Sequence, residues 1–553
     1  MGKYLKLFDT HSEYVAFTKT EDFIKPNVSH CIEENHVHYN PWTWAEEYLT
    51  FVAKEDGTIS FNIWKSMGTD MITSVSYSTD NGETWTTTQN TNDKTEHLAI
   101  NVNVNEGDKI MWKGTATQTG YNDKDDYGDY VGSFFSSDCE FDAQGNVMSL
   151  LYGDDFKGKT TLVHEGQFVR LFSDYDEKNT CKIVNAENLS LLATTLATGC
   201  YTYMFYGCTS LTTAPELPAT TLEEYCYAYM FQSCTSLETA PVLPATTLAS
   251  GCYQGMFQSC TSLETAPVLP ATTLAEYCYS HMFSGCSSLV NATVLPAETL
   301  ADSCYLSMFN GCTSLVTAPV LPATTLADSC YDGMFFGCTS LTTAPVLPAT
   351  TLAEYCYSHM FSGCSSLVNA TVLPATTMAE QSYYAMFSGC TSLVTAPELP
   401  ATTLADSCYR GMFFGCTSLT TAPVLPATTL AEYCYSNMFQ GCTSLTTAPV
   451  LPATTLAEYC YSNMFQGCTS LTTAPVLPAT TLADNCYNYM FQDCTNLNYI
   501  KAMFTTTPST TYTRDWVSGV AASGTFVKNS AAEWSVTGTS GVPSGWTIET
   551  ATA

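Results

Sequence analysis

A 26-residue segment returns twelve times along this chain with no insertion or deletion between copies. Beginning at Thr429 it reads Thr-Leu-Ala-Glu-Tyr-Cys-Tyr-Ser-Asn-Met-Phe-Gln-Gly-Cys-Thr-Ser-Leu-Thr-Thr-Ala-Pro-Val-Leu-Pro-Ala-Thr, and its second cysteine sets a register that runs from Cys208 and Cys234 to Cys468 and Cys494. Each unit is too small to bury its apolar residues alone and must bury them against its neighbours. Residues 191–500 are therefore expected to stack as a solenoid, which excludes a single globular core. On either side the period is lost. Residues 1–45 read as an N-terminal attachment segment and 46–150 as a small all-β sandwich. Residues 151–190 read as a degenerate capping repeat in which Leu171-Phe172 echoes the repeated Met-Phe, and 501–553 as a C-terminal cap with Trp516, Trp534 and Trp546.

The repeat predicts one helix and one short strand per unit, an α/β solenoid. Thr273-Leu-Ala-Glu276, Thr325-Leu-Ala-Asp328 and Thr429-Leu-Ala-Glu432 have the form of a capping box. In such a box a hydroxyl, and an acid three residues later, satisfy the free amides of a helix start. A glycine such as Gly441 can close the helix in the left-handed conformation. At about 100° per residue, Leu430, Ala431, Cys434 and Met438 share one buried side. The strand is confined to a few residues around Leu445-Thr-Thr-Ala448, because Pro449 and Pro452 cannot donate to a ladder.

Copies differ at a small set of positions, which around Cys434 are Tyr433, Ser436, Asn437 and Gln440. Helical spacing puts these on one solvent-facing stripe. Along the solenoid the stripe carries Tyr225, Tyr277, His281, Tyr355, His359, Arg410, Tyr433, Asn437, Tyr459 and Asn463. Such aromatic and amide groups can stack on a sugar or exchange hydrogen bonds with a sugar or a protein. The rival surface is the strand face, where Thr420, Thr421, Thr446 and Thr447 offer a regular hydroxyl array.

The core Met-Phe-x-Gly-Cys-[Thr/Ser]-Ser-Leu, as in Met308-Phe-Asn-Gly-Cys312-Thr-Ser-Leu315, resembles the BspA-like leucine-rich repeat proteins over residues 170–502. The resemblance implies a leucine-rich-repeat solenoid in a surface or secreted adhesive protein. The N-terminal region, with Lys3-Tyr-Leu-Lys-Leu-Phe8, His38-Tyr-Asn-Pro41 and Gly145-Asn-Val-Met-Ser-Leu-Leu151, resembles that of structural proteins from tailed phages of gut bacteria. That likeness implies attachment to a virion or other surface assembly through the N-terminal region.

Twenty-three of the 26 cysteines fall in two ladders, and Ser382 replaces the first-ladder cysteine in one copy. Cys434 and Cys442, about 12 Å apart on a helix, are beyond disulfide reach. The ladders read as small buried thiols, and the absence of histidine at zinc spacing argues against a metal; no cofactor is expected. Three features outside the repeats carry a ligand pattern that a bland reading also explains. His30, His36 and His38 can meet across a hairpin; Asn122–Asp129 is an acidic loop with some calcium-loop character; Ser78-x-Asp80-x-Gly82-x-Thr84-Trp85 resembles the Asp-box of sialidase-like folds. One such box stabilises a hairpin around an Asn-Gly turn, and no arginine cluster or catalytic acid accompanies it.

The formal net charge is −33, and between Leu189 and Cys494 the only basic side chain is Arg410. Nucleic acid and anionic lipid would be repelled. No run of 18 apolar residues and no signal peptide is recognised, so membrane insertion is not expected. These features lead to a non-enzymatic binding, adhesion or display protein. Its expected place is a virion surface or an extracellular or cell-surface site, facing a protein or glycan on a cell, with homo-oligomerisation open. The alternatives are a bacterial surface or secreted adhesin and, more remotely, a glycoside hydrolase.

Overall fold

The computed structural model describes residues 44–63, 74–89, 98–115, 120–124, 130–173 and 180–551. Within the repeats the hydrophobic period does build a stacked solenoid, but the repeats contain no helix. From Glu432 to Cys442 the backbone is a succession of tight turns. The amides of Cys434, Ser436, Met438, Gln440 and Cys442 return to the carbonyl three residues back at 3.0–3.4 Å. The amides between them, those of Tyr433, Tyr435, Asn437, Phe439 and Gly441, donate to carbonyls of the next coil at 2.8–3.1 Å. An α-helix would satisfy all of these internally. Here half of them bind coil to coil, which needs the chain to double back every fourth residue. Tyr433, Asn437 and Gly441 do so with φ of 54°, 60° and 74°. The helix expected from the sequence is thus corrected to a turn ladder.

The acid of the Thr-Leu-Ala-Asp motif serves the same stacking. Asp406 Oδ1 accepts the amide of Glu432 in the following coil at 3.0 Å, and Asp328 accepts that of Glu354 at 3.1 Å. The expected strand shrinks to single parallel bridges, such as Thr395 to Thr421 and Thr421 to Thr447, because the prolines interrupt any longer pairing.

Stacking at one coil spacing puts like side chains over like. Tyr435 lies between Tyr409 and Tyr461 with ring centroids 5.9 Å away on each side, and Phe439 lies between Phe413 and Phe465 at 5.6 and 5.7 Å. Met438, Cys434, Cys442, Leu445 and Leu451 fill the rest of the coil interior. Each second-ladder thiol has a polar partner: Cys442 donates through Sγ to the carbonyl of Phe413 at 3.0 Å, and Cys468 to that of Phe439 at 3.0 Å.

The solenoid is closed at both ends. On the N-terminal side a seven-stranded sheet includes β1 (Leu49–Ala53), β3 (Ser74–Ser78), β4 (Thr86–Gln89), β6 (Lys109–Thr115) and β10 (Phe141–Asn146). A three-stranded sheet contains β2 (Gly57–Ile63), β5 (Leu98–Val104) and β9 (Phe134–Ser137), and β7 (Gly120–Lys124) pairs with β8 (Tyr130–Gly132). Phe51, Phe61, Trp112 and Phe135 are buried together between them. The seven-stranded sheet does not end at residue 150: β10 pairs in parallel with β11 (Ile183–Asn185) and β12 (Leu189–Ser190). Phe172 stacks on Phe135 at 5.6 Å and on Phe205 at 5.2 Å, so the sandwich core runs into the phenylalanine ladder. At the far end β13 (Tyr499–Ala502), β14 (Thr525–Lys528) and β15 (Thr547–Thr550) continue the parallel stacking, and Trp516 covers both Tyr487 and Phe491.

Candidate binding surface

The ten stripe residues lie on the outside of the turn ladder, and all ten are half-buried rather than fully exposed. Nine of them occupy the left-handed positions: Tyr225, Tyr277, His281, Tyr355, His359, Tyr433, Asn437, Tyr459 and Asn463 have φ between 52° and 60°. Arg410 is the exception, set between left-handed Ser407 and Gly411. Ser436, read as solvent-facing on a helix, is instead buried. The stripe is therefore a row of turn corners.

Around Arg410 these corners form a continuous patch. The guanidinium carbon lies 5.0 Å from the Tyr433 ring centre and 5.9 Å from that of Tyr384, and Tyr433 stacks on Tyr459 at 4.4 Å with planes 7° apart. Burial, followed by the neighbouring Tyr459, raises the Tyr433 hydroxyl above its ordinary pKa, with Arg410 opposing. His359 packs edge-on to Tyr384 at 4.8 Å, and its Nδ1 lies 3.6 Å from Asp332. Tyr384 was not singled out from the sequence, although it occupies the column of Arg410. A second patch has Arg170 over Tyr203 at 4.7 Å and Tyr203 stacked on Tyr229 at 4.9 Å; its arginine sits in the capping repeat, where no period marks it.

The other stripe residues are more dispersed. Tyr225 lies flat over Gly251 of the next coil, whose missing side chain makes the room: an added Cβ would fall 2.4 Å from the ring. Tyr355 accepts a hydrogen bond from Gln381 Nε2 at 2.6 Å. Nδ1 of His281 is 2.7 Å from the Ser280 hydroxyl, and burial lowers its pKa against the opposing charge of Asp332. The amides bond to one another: Gln440 to Gln466 and Gln466 to Gln492 at 2.7 Å, and Asn463 to Gln466 at 2.7 Å. In the Arg410 patch the Tyr433 ring lies between Tyr459 of the next coil and the Arg410 guanidinium of the preceding one. What this patch offers a ligand is ring edges, phenol hydroxyls and the Arg410 guanidinium.

The bridge face has another character. Thr420, Thr421, Thr446 and Thr447 are exposed in paired rows, with Thr446 Oγ1 donating to the Thr420 carbonyl at 3.4 Å. Beside them runs a row of exposed valines that sequence reasoning missed. Its signal was available in Pro-Val-Leu-Pro, where alternation turns leucine inward and valine outward.

The features outside the repeats separate cleanly. Asn81 and Gly82 form the hairpin turn with φ of 61° and 87°. Asp80 accepts from the Thr84 amide and hydroxyl and from Ser78, and these bonds bring its carboxyl down to about 2. It braces the turn. His30, His36, His38 and the loop 125–129 lie outside the described residues. Among the described residues no group of three His, Cys, Asp or Glu side chains is placed to hold a metal, and the 25 described cysteines are buried free thiols.

A profile described as the BspA type leucine rich repeat region, in six copies, matches residues 185–316, 279–420 and 383–513, together more than half of the chain. The chain belongs to the BspA-type leucine-rich repeat family. The twelve coils and their Met-Phe-x-Gly-Cys turn ladder are thus the form that the BspA-type repeat takes here. No curated protein matches the chain in sequence. Among solved structures it is similar to one titled "Crystal structure of TLR13-ssRNA13 complex", at 14% identity and a TM-score of 0.21 over 62% of this chain. The match spans about half, 47%, of that chain's length.

Proposed function

We propose that this BspA-type chain is a non-enzymatic adhesion or display protein that binds a protein or glycan at a cell surface through its turn face, with its N-terminal region joining it to a virion or other surface assembly. The observation that carries the reading is the patch of His359, Tyr384, Arg410, Tyr433 and Tyr459. It gathers variable positions of five successive coils into one aromatic surface around the solenoid's single cation. Arginine and tyrosine are the side chains that anchor recognition surfaces. Edge-on tyrosines favour hydrogen bonds from their hydroxyls over stacking of a sugar ring. The net charge of −33 favours neutral or cationic partners elsewhere on the molecule.

Replacing Tyr433, Tyr459 and Asn463 together by Ala is expected to abolish binding to host cells, while changing Thr420, Thr421, Thr446 and Thr447 to Lys leaves it intact. The opposite result places the site on the bridge face and overturns the assignment. Immunogold labelling of purified particles against that of intact bacterial cells separates the virion reading from that of a bacterial adhesin.

A further inference from the structure

We infer that two copies of this chain associate antiparallel through the exposed valine row. In successive coils Val268, Val294, Val320, Val346 and Val372 are 68–75% exposed, an unusual state for one valine and more so for five in line. The row arises because proline on one or both sides prevents a continuous strand while Leu321, Leu347 and their equivalents point inward and are buried. It continues through Val424 and Val450, each 77% exposed, after one interruption at Glu398. Threonines border it; from 316 to 326, 342 to 352 and 368 to 378 the face carries no charged residue, and the two preceding coils carry one exposed carboxylate each, Glu264 and Glu298. At Glu398 a shallow groove of about 340 Å³ opens between Pro397, Pro400, Pro423 and Val424.

Three arguments select a second copy as the occupant. Five coils at about 4.8 Å and ten residues at about 3.3 Å outline a strip of about 24 by 33 Å. That is on the order of the 800 Å² per partner that a stable interface buries. An antiparallel copy also has the same coil spacing, so every valine can meet a valine or the gap between two, as in a dry zipper. Finally, a chain of net charge −33 repels its own copy least across this strip, whose two carboxylates, Glu264 and Glu298, stand at its edges four residues from the valine row.

Glu398 fixes the register. A two-fold axis at Val320 pairs Val268 with Val372 of the second copy and Val294 with Val346, and leaves Glu398 at the rim opposite Val242. An axis shifted by one coil to Val346 sets Glu398 against Val294 and buries a carboxylate without a partner, which is strongly unfavourable.

Sedimentation of the full chain from low to tens of micromolar tests this. A monomer–dimer equilibrium is expected, and Val320→Asp is expected to give a monomer with an unchanged circular dichroism spectrum, since Val320 is exposed. Glu398→Val, which completes the row, is expected to tighten the dimer at least tenfold. A wild-type chain that stays monomeric, or captures a different protein on this strip while monomeric, overturns the inference, as does a dimer that survives Val320→Asp.

Discussion

At the scale of single residues, three positions in every coil are held in a left-handed conformation, and in the twelve repeats none is Val, Ile or Thr. The column of Asn437 contains Gly255, Gly333 and Gly411 as well as Ala385. An L-residue in this region is strained by about 1–2 kcal/mol, and glycine is not. Ala385, with φ of 50° and only a methyl group to lose, is the clearest case. Ala385→Gly is expected to stabilise the chain by about 0.5–1 kcal/mol once the greater entropy of unfolded glycine is subtracted. Ala385→Val is expected to destabilise it by more than that; urea unfolding of the two variants decides, and a stabilising valine would contradict the backbone assignment. The tyrosine ladder holds a second residue-scale liability. The hydroxyls of Tyr227, Tyr253 and Tyr279 are buried with no hydrogen-bond partner, and burial is the first cause of the raised pKa of each. Removing an unpaired buried hydroxyl removes its desolvation penalty. Tyr253→Phe should leave the melting temperature unchanged or raise it; a loss of more than about 1 kcal/mol would reveal a partner for the hydroxyl.

At the scale of the element, the coil is legible in the sequence and the backbone of its interior is not. The 26-residue period and the burial of Cys434, Met438 and Leu445 were legible because they depend only on which residues are apolar and how often they return. The helix was not legible from the same pattern, since a turn every four residues and a helix of 3.6 residues per turn place apolar groups almost alike over ten residues. The glycine columns carried the missing information: glycine recurring at Gly251, Gly255 and Gly285 is consistent with repeated left-handed corners and costly inside helices. The ten stripe residues are half-buried and Ser436 of the same stripe is buried, and helical spacing gives no reason for Tyr433 and Tyr459 to stack at 4.4 Å. The boundary at 150 invites a prediction at this scale. A fragment ending there loses β11 and β12 from the edge of β10, together with Phe172 from the core. It is expected to aggregate or to give poorly dispersed amide resonances; a well-dispersed spectrum would show that the sandwich closes without the cap.

At the scale of the whole molecule, one core runs from the sandwich aromatics through both ladders to Trp516, so a condition that acts on every coil acts on the entire fold. Alkaline pH is such a condition. Burial pushes the thiols of Cys286, Cys364 and Cys416 from an ordinary 9.0 up to about 12, and the hydrogen-bonded carbonyl of the preceding coil holds the proton in place. These thiols remain neutral in the folded chain, whereas an unfolded thiol releases its proton once the pH passes its ordinary value. The folded state therefore keeps its full stability below about pH 9 and loses it as the pH rises toward 12. Each such thiol favours the unfolded chain by about 1.4 kcal/mol at pH 10. With 23 ladder cysteines, eight responding together would contribute about 11 kcal/mol, comparable with the whole stability of an ordinary domain. The buried phenols shift in the same direction for the same reason. Circular dichroism in the presence of reductant is expected to show a steep cooperative loss of structure between about pH 9.5 and 11, with little change from pH 6 to 9. Replacing several second-ladder cysteines by alanine should move that midpoint upward while lowering stability at pH 7, since the alanines neither titrate nor bond to the phenylalanine carbonyls. A native spectrum retained at pH 11, or a midpoint indifferent to the cysteine count, would show that the thiol ladders do not govern the alkaline limit.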